Sequence, residues 1–314
     1  MAQQHPRRFR FGLDVKEPFP GRSWADTARE IESLGYSTLF VPDHFHSGYG
    51  PIAAMTAAAV ATTTLTVGSL VLACDFRHPA VLAKELATID LLSQGRLEVG
   101  LGAGYNPLDY SRSGIRMDPP GVRVARLFEH VRVLRALFAE GEAHFEGEHY
   151  RIEALDGNPS PFTPGGPPIL MAGGGPRLLR FAAAEADIIG VNPTTAAGRD
   201  APETARDALP SSIDAKFALI REVAGERFDT LEFNSWISIA SITSGAQATA
   251  EQLAGFFGAP AADVLDSPLV LMGTVDEVVD QLRRRRARWG YSYTVVPGSQ
   301  AHEFADVVER LTGR

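Results

Sequence analysis

Residues 68–106 constrain the fold of this chain more than any other stretch. They begin with a β-rich apolar run that ends at Leu72, and Pro79 then opens a segment whose apolar side chains recur at helical spacing. These side chains are Leu82, Leu86, Ile89 and Leu92. Gly95 is placed to end the helix in a left-handed cap, and the residues from Leu97 onward alternate as a strand does. The pattern predicts a β-α-β unit whose strands end at one edge of a parallel sheet, where α/β proteins bind small molecules.

Strands and helices alternate along the rest of the chain with a period of roughly 30 residues, as β-α-β units require. Further strands are predicted at 9–13, 37–41, 169–172, 188–191, 232–242 and 293–296. Two segments, 107–120 and 192–210, are predicted to be loops, the second of them mobile, and 143–153 to be a two-stranded excursion. About eight strands with intervening helices predict an α/β fold of the (β/α)8 TIM-barrel type with insertions. An open doubly wound sheet is the competing topology.

The composition of the chain narrows its possible functions. With 314 residues, 45% of them hydrophobic, and no charged or Pro/Gly-rich linker, the chain is predicted to form a single domain spanning residues 1–314. The net charge of −8 argues against a nucleic-acid partner, because phosphate contacts need a basic face. No apolar stretch is long enough to span a bilayer, and the amino terminus lacks the apolar core of a signal peptide. The single cysteine, Cys74, excludes an internal disulfide framework, so we expect a cytoplasmic protein without a membrane partner.

A run of three glycines, Gly173, Gly174 and Gly175, follows one predicted strand and opens the next predicted helix. Glycines allow the backbone to approach a ligand closely, and the free N–H groups of a helix amino terminus favour phosphate. Arg177 and Arg180 could add positive charge. The run therefore indicates either a phosphate site or a tight strand-to-helix turn without a ligand.

His44 and His46 follow the second predicted strand, on the face of a barrel where sites are built. A His-x-His pair at this place can bind a metal in barrels of the amidohydrolase type. Those barrels also need histidines after strands five and six and an aspartate after strand eight, but here the strands end at Gly173, Val191 and Pro297. We therefore predict no metal site, and a histidine that stabilises the loop is the alternative.

Two further features are predicted to be structural. Cys74 follows the third strand and has no evident partner base, which favours a packed thiol over a reactive one. The arginines at 283–286 lie on a predicted helix whose acidic residues precede them, and Asp280 is spaced to pair with Arg284. This pattern is typical of a solvated helix face.

Several motifs, in a fixed order, resemble those of the bacterial luciferase-like monooxygenase superfamily, and in particular its coenzyme F420 (deazaflavin)-dependent oxidoreductase branch. The resemblance covers about residues 9–296. Its motifs are PDH at 42–44, RHPA at 77–80, LSQGR at 92–96, GLGAG at 100–104, AGGGP at 172–176, AAEAD at 183–187 and GTVDEV at 273–278.

This resemblance implies a (β/α)8 barrel with the cofactor ring at the carboxyl-terminal face of the strands. It implies a bulge with a non-prolyl cis peptide in the third strand, near Ser69, Leu70 and Val71. It also implies that Asp43, His44 and Asn106 lie near the ring. The cofactor phosphate is expected at Gly173, Gly174 and Gly175, with Arg177 beside it.

The resemblance also bears on catalysis. Some F420-dependent dehydrogenases have a catalytic glutamate at the position of Tyr105, and Asp109 lies near but does not match that position. An imidazole exchanges protons close to neutral pH, so His44 is the first candidate for the catalytic proton transfer and Tyr105 the second.

The function implied is that of an F420-dependent oxidoreductase, which transfers a hydride between the deazaflavin and a small organic substrate. An FMN-dependent luciferase-like monooxygenase is the alternative, followed by a metal-dependent barrel hydrolase and a cofactor-free structural homologue. The resemblance further implies a homodimer. The identity of the substrate and the direction of hydride transfer do not follow from the sequence.

Overall fold

Parallel strands alternate with helices through most of the chain. The computed structural model describes residues 7–195, 198 and 200–314. The strands are β1 (Arg10–Asp14), β2 (Thr38–Val41), β3 (Thr66–Ser69), β4 (Leu72–Ala73), β5 (Leu97–Gly102), β6 (Glu142–Glu146), β7 (Arg151–Asp156), β8 (Ile169–Gly173), β9 (Ile188–Val191), β10 (Glu232–Trp236), β11 (Ile239–Ile242), β12 (Val270–Gly273) and β13 (Tyr291–Pro297). The helices are α1 (Trp24–Ser33), α2 (Pro51–Ala61), α3 (Pro79–Ser93), α4 (Pro107–Ser113), α5 (Pro120–Phe138), α6 (Pro176–Glu185), α7 (Pro202–Arg206), α8 (Pro210–Ala224), α9 (Ala246–Phe257), α10 (Ala261–Asp266), α11 (Val275–Trp289) and α12 (Ala305–Leu311).

The chain divides into two compact units. The first unit contains the residues up to Leu13, Ser33–Ser37 and Ala172–Arg314, and the second contains Asp14–Glu32 and Thr38–Met171. The described residues of both units together supply the eight parallel strands of a (β/α)8 barrel, with β3 and β4 counted as one interrupted strand. These eight are β1, β2, β3 with β4, β5, β8, β9, β10 and β13. The predicted (β/α)8 TIM barrel is therefore confirmed, and the open doubly wound sheet is wrong.

In the second unit, β5 lies between its parallel neighbours. It pairs with β3 and β4 on one side and with the first residues of β8 on the other, and β2 pairs with β3. All six residues of β5 are buried, as is usual for a strand of a parallel sheet with both faces covered. The packed face of α3 includes Leu82, Leu86 and Ile89, but Leu92 is exposed, which corrects the sequence-based expectation for that residue.

In the first unit, β10 pairs in parallel with β9 and β13. The long strand predicted at 232–242 is wrong, because the chain turns between β10 and β11. Ile237 N–H donates to Val295 O, whereas Ser238 N–H donates to Leu269 O, so the chain changes partner at this point. β11 then forms a separate two-stranded parallel sheet with β12, a strand that the sequence reading missed. A small apolar core around Phe257 and Met272 packs beneath this sheet.

Other expectations are confirmed or corrected locally. The excursion predicted at 143–153 is the antiparallel hairpin of β6 and β7. The predicted loops at 107–120 and 192–210 contain α4 and α7, so both are partly helical. Residues 196, 197 and 199 of the second loop lie outside the described residues.

The run of arginines on α11 is only partly a solvated face. Arg285 is buried, and its guanidinium donates hydrogen bonds to the carbonyl oxygens of Leu265, Ser267 and Val270. Burial lowers its pKa to about 10. The ion pair on this helix joins Asp280 to Arg283 at 3.5 Å, and the sequence had predicted Arg284 as the partner.

The predicted structural role of Cys74 agrees with its surroundings, because the thiol is buried and burial raises its pKa. Among the described residues, no helix has both the length and the apolar character needed to cross a membrane.

Candidate active site

Two histidines of the second unit converge on one carboxylate. Asp109 Oδ2 lies 2.7 Å from His44 Nδ1, and Asp109 Oδ1 lies 3.2 Å from His46 Nδ1. The N–H of Phe45 also donates to Oδ1 at 3.0 Å. The two imidazole rings are 5.0 Å apart, so a single carboxylate orients both of them.

The protonation of this cluster follows from the chemistry of Asp109. Burial by itself would raise the pKa of Asp109, but the hydrogen bonds from His44, Phe45 and His46 outweigh it and lower the pKa. An ionised carboxylate only accepts hydrogen bonds, so Nδ1 of each histidine carries a proton. Nε2 of His44 is then the ring nitrogen that can exchange a proton with a substrate.

Asp109 reaches His44 because α4 begins soon after the glycine-rich loop. The Asn106 side chain accepts a hydrogen bond from Leu108 N–H at 3.1 Å, and Pro107 occupies the first helical position. Asp109 lies in the first turn, where the helix dipole favours a carboxylate. The sequence predicts a loop at 107–120, and that prediction does not reveal Asp109 as the partner of His44. The Asn-Pro pair was the signal that could have revealed the helix.

Asp43 has a positioning role in this structure. Its carboxylate accepts hydrogen bonds from both terminal nitrogens of Arg77, at 2.6 and 3.2 Å, and from Ala73 N–H at 3.1 Å. These bonds fix the segment after β2 to the last residue of β4 and to Arg77 beyond it. The predicted contact of Asp43 with a cofactor ring therefore stays a prediction, and the geometry favours an indirect effect through Ala73.

The interruption between β3 and β4 contains the predicted non-prolyl cis peptide, which joins Leu70 to Val71. Two glycines of β5 make room for it. A Cβ atom on Gly100 would lie 1.9 Å from Ser69 O, and a Cβ atom on Gly102 would lie 2.6 Å from Val71 Cγ2. The Ser69 hydroxyl also donates to Gly100 O at 2.9 Å. Gly100 and Gly102 of the GLGAG motif are thus required by the shape of the neighbouring strand.

Tyr105 lies beside His44 at the end of β5, with the two rings 5.8 Å apart in an edge-to-face arrangement. The loop before it is held from α5 by the buried Arg123, which donates to Ala103 O at 3.0 Å and to Gly104 O. The structure therefore brings the two predicted catalytic candidates, His44 and Tyr105, into contact.

The glycine run lies in the first unit, and its members have different surroundings. A Cβ atom on Gly174 would lie 2.2 Å from Asn192 O, so this glycine is needed for the close approach of two loops. A Cβ atom on Gly175 would meet no described atom within 4 Å. Gly175 precedes the ten-residue α6, and among the described residues no side chain caps the first turn. Open space beside uncapped N–H groups is what a phosphate needs. Arg177 lies in that first turn.

The His44 cluster also has the composition of a metal site. Ligand atoms of His44, His46 and Asp109 lie within 4.8 Å of one another, and two imidazoles with one carboxylate can bind a transition metal. The hydrogen-bonding distances and the additional bond from Phe45 N–H account for the arrangement without a metal. The absence of a metal site stays a prediction from the sequence.

Comparison of the sequence with known proteins gives a family match and several relatives. The family model described as luciferase-like monooxygenase matches residues 7–293. The chain is 35% identical over 181 residues to the F420-dependent glucose-6-phosphate dehydrogenase of Mycobacterium avium, an alignment that covers 54% of this chain and 53% of the relative. It is 31% identical over 225 residues to the protein of the same name from Kineococcus radiotolerans, covering 68% of this chain and 65% of the relative. The first alignment thus spans about half the length of the relative.

Comparison of the structure with solved structures identifies the same fold. The coenzyme F420-dependent tetrahydromethanopterin reductase of Methanopyrus kandleri matches with a TM-score of 0.73 at 19% identity, covering 98% of this chain and 100% of that chain. The monooxygenase RslO1 of Streptomyces bottropensis matches with a TM-score of 0.69 at 22% identity, covering 96% of both chains. Similarity at such low identity shows a shared fold.

Proposed function

Because the chain belongs to the luciferase-like monooxygenase family, we propose that it is an oxidoreductase that uses coenzyme F420 to transfer a hydride to or from a small organic substrate. The similarity to relatives named F420-dependent glucose-6-phosphate dehydrogenase supports this choice of cofactor. The observation that carries the proposal is the hydrogen bond between the ionised Asp109 and His44 Nδ1, which leaves Nε2 for proton transfer. Hydride transfer to or from a carbonyl needs such a proton donor or acceptor.

The described residues fit a deazaflavin in each unit separately. In the second unit, the bulge presents the partly exposed Leu70 and Val71 at the end of an otherwise buried strand. In the first unit, the space beside Gly175 and the uncapped start of α6 suit a phosphate. When bound, the deazaflavin supplies a carbon centre that accepts or donates a hydride and reacts poorly with oxygen.

The roles of the chain's own residues follow from their positions. His44 holds or releases the proton at Nε2, and Asp109 orients its ring through Nδ1. Tyr105 is the second candidate for the proton, because its ring contacts His44. Asp43 and Asn106 act on the site by fixing the backbone near it, Asp43 through Ala73 and Asn106 by capping α4.

An FMN-dependent luciferase-like monooxygenase is the second candidate function. The description of the family supports it, and RslO1, which has a similar fold, is named a monooxygenase. Titration of the purified protein with each cofactor, followed by fluorescence, tests the choice, and we expect F420 to bind at least about tenfold more tightly than FMN, a difference of about 1.4 kcal/mol. Equal or tighter FMN binding, with oxygen-dependent turnover of reduced FMN, would reverse the order. If neither cofactor binds, the cofactor-free structural homologue is favoured.

The homodimer and the cytoplasmic location are parts of the same proposal. The single buried cysteine supports a reducing compartment. The outer side of α1 and α2 supports self-association, since a shallow groove there is lined mainly by alanines and by the exposed Val60. Light scattering after size-exclusion chromatography measures the oligomeric state, and Val60→Glu is expected to shift a dimer toward monomer.

A further inference from the structure

The helix that carries Asp109 is short and is attached by few of its own side chains. α4 has seven residues, of which Asp109 and Tyr110 are buried and the others are exposed. A helix of this length is not stable by itself in water, so its position depends on the side chains that pack. Asp109 contacts His44 and His46. Tyr110 is therefore the buried side chain that attaches α4 at a second place.

The Tyr110 hydroxyl donates a hydrogen bond to Asp75 Oδ2 at 2.8 Å. Asp75 lies just after β4, and its side chain is only 2% exposed. Its other carboxylate oxygen accepts a hydrogen bond from Arg126 of α5 at 2.6 Å, so the acceptor of the tyrosine is itself held in place. Burial, and then the hydrogen bond to Asp75, raise the pKa of Tyr110, so the hydroxyl keeps its proton and remains the donor.

The same hydroxyl packs against the glycine-rich loop that precedes Tyr105. A Cβ atom on Gly104 would lie 1.9 Å from Tyr110 Oη, and Gly104 also has a φ of +71°, which favours glycine. Ala103 O is 3.5 Å from the hydroxyl oxygen, so Asp75 is the nearer acceptor. One buried hydroxyl thus contacts both the loop before Tyr105 and the anchor of α4.

We propose that Tyr110 is a positioning residue, whose hydrogen bond to Asp75 places Asp109 so that this carboxylate orients His44. Asp109 and Tyr110 are adjacent on one short helix, so a shift of one moves the other. The bond from Asp109 to His44 Nδ1 is 2.7 Å long, and hydrogen bonds weaken steeply when their geometry is lost. The inference rests on the proposed function and deepens it, because that function uses His44 for proton transfer.

Tyr110→Phe tests the proposal, because it removes the hydroxyl and keeps the ring, which lies 5.5 Å from the Phe76 ring. NMR of the full chain with isotope-labelled histidine shows which ring nitrogen of His44 carries the proton, and His44→Asn assigns the signals. Hydrogen exchange of the Phe45 N–H, which donates to Asp109, reports the position of the carboxylate. In Tyr110→Phe we expect the proton of His44 to be shared between Nδ1 and Nε2. The Phe45 amide should exchange about tenfold faster, as expected for the loss of about one hydrogen bond.

Tyr36→Phe is the matched control. Tyr36 is also buried, and its hydroxyl donates to Ala301 O at 2.8 Å in the first unit, so this variant loses a hydrogen bond of the same length. It should keep the His44 signals and the Phe45 exchange rate of the wild type. Wild-type behaviour of Tyr110→Phe would overturn the proposal, and so would equal changes in Tyr36→Phe. Loss of folding in Tyr110→Phe, followed by circular dichroism, would also overturn it, because the hydroxyl would then support the fold rather than the place of α4.

Fluorescence titration with F420 separates this inference from the proposed function. F420 affinity should stay within a few fold of the wild type in Tyr110→Phe, because the hydroxyl acts on Asp109 and His44. A large loss of F420 affinity with unchanged His44 and Phe45 signals would assign Tyr110 to the cofactor site and overturn the proposal. If F420 does not bind the wild type, the proposed function fails, and the two NMR measurements on the cofactor-free chain still decide whether Tyr110 positions Asp109 and His44.

Discussion

His44 is the residue on which the proposed chemistry depends most. Its ring is oriented by Asp109 and contacts Tyr105, and Nε2 is the nitrogen left for a substrate. His44→Asn should therefore lower turnover by about 10²-fold to 10⁴-fold, the usual contribution of a positioned acid or base. F420 affinity should change by only a few fold. Steady-state kinetics at saturating F420, beside a fluorescence titration, separates the two effects. If His44→Asn keeps a turnover near that of the wild type, His44 has only a structural role.

Asp109 is expected to act through His44, as a positioning residue. Asp109→Asn removes the charge that fixes the proton on Nδ1, so turnover should fall by at least about tenfold while KM changes little. Asp109→Glu keeps the charge and should restore part of the activity. His46→Gln is the matched comparison, because His46 bonds to the other oxygen of the same carboxylate and should cause a smaller loss. Equal losses in Asp109→Asn and Asp109→Glu would indicate a purely structural role.

The sequence could suggest His44 as a candidate because an Asp-His pair after a barrel strand is a local pattern. It did not identify the partner of His44, since Asp109 lies 65 residues away and reaches the ring only because α4 is a helix. Side-chain partners across such distances depend on the exact path of the backbone. The position of the cis peptide, in contrast, could be transferred from the family resemblance.

At the scale of elements, the glycine run between β8 and α6 allows a matched pair of substitutions. Gly174→Ala should destabilise the fold, because its Cβ would lie 2.2 Å from Asn192 O and 2.6 Å from Thr194 N. The expected loss in the free energy of unfolding is about 1–3 kcal/mol, as for other overpacked sites. Gly175→Ala meets no described atom within 4 Å and should leave stability unchanged. Urea unfolding measures both.

Gly175→Ala also tests the phosphate site of this loop. An added methyl group beside the uncapped start of α6 should weaken F420 binding several fold if the phosphate lies there. Gly175→Ala should not change the affinity for a deazaflavin fragment that lacks the phosphate, so this fragment is the matched control ligand. If this variant is folded and its F420 affinity is unchanged, the loop is a tight turn that does not bind a phosphate.

The order of the strands and helices could be predicted from the sequence more accurately than their boundaries. The segment 232–242 looks like one strand because residues that favour strands, among them Phe233, Trp236 and Ile239, recur through it. Nothing local shows that Ile237 pairs with Val295 while Ser238 turns to Leu269. Similarly, Arg285 has the same neighbours in sequence as the exposed Arg284, and only the packing of α11 against carbonyl oxygens makes it buried.

At the scale of the whole molecule, the alternation of strands and helices predicted an α/β fold, and the family resemblance favoured the (β/α)8 barrel over the open doubly wound sheet. The stability of the whole fold nevertheless depends on single buried groups that no pattern reveals. His130 on α5 is such a group, because it is fully buried and its Nε2 has no hydrogen-bond partner among the described residues. Its Nδ1 lies 3.3 Å from the Tyr150 hydroxyl.

Because of His130, the protein should become less stable as the pH is lowered. Burial, assisted by the nearby His78, lowers the pKa of His130 to about 3 from its ordinary value of 6.5. Between these values the unfolded chain binds the proton and the folded protein does not, so protonation favours unfolding as the pH drops below 6.5. This group alone should cost about 1.4 kcal/mol for each pH unit in that window. The free energy of unfolding, measured in urea at pH 7, 6 and 5, should depend less on pH in His130→Gln than in the wild type. His144→Gln is the control, because His144 is an exposed histidine of the hairpin, and it should keep the pH dependence of the wild type. Parallel pH profiles for wild type and His130→Gln would contradict the assignment and place the acid sensitivity in other groups.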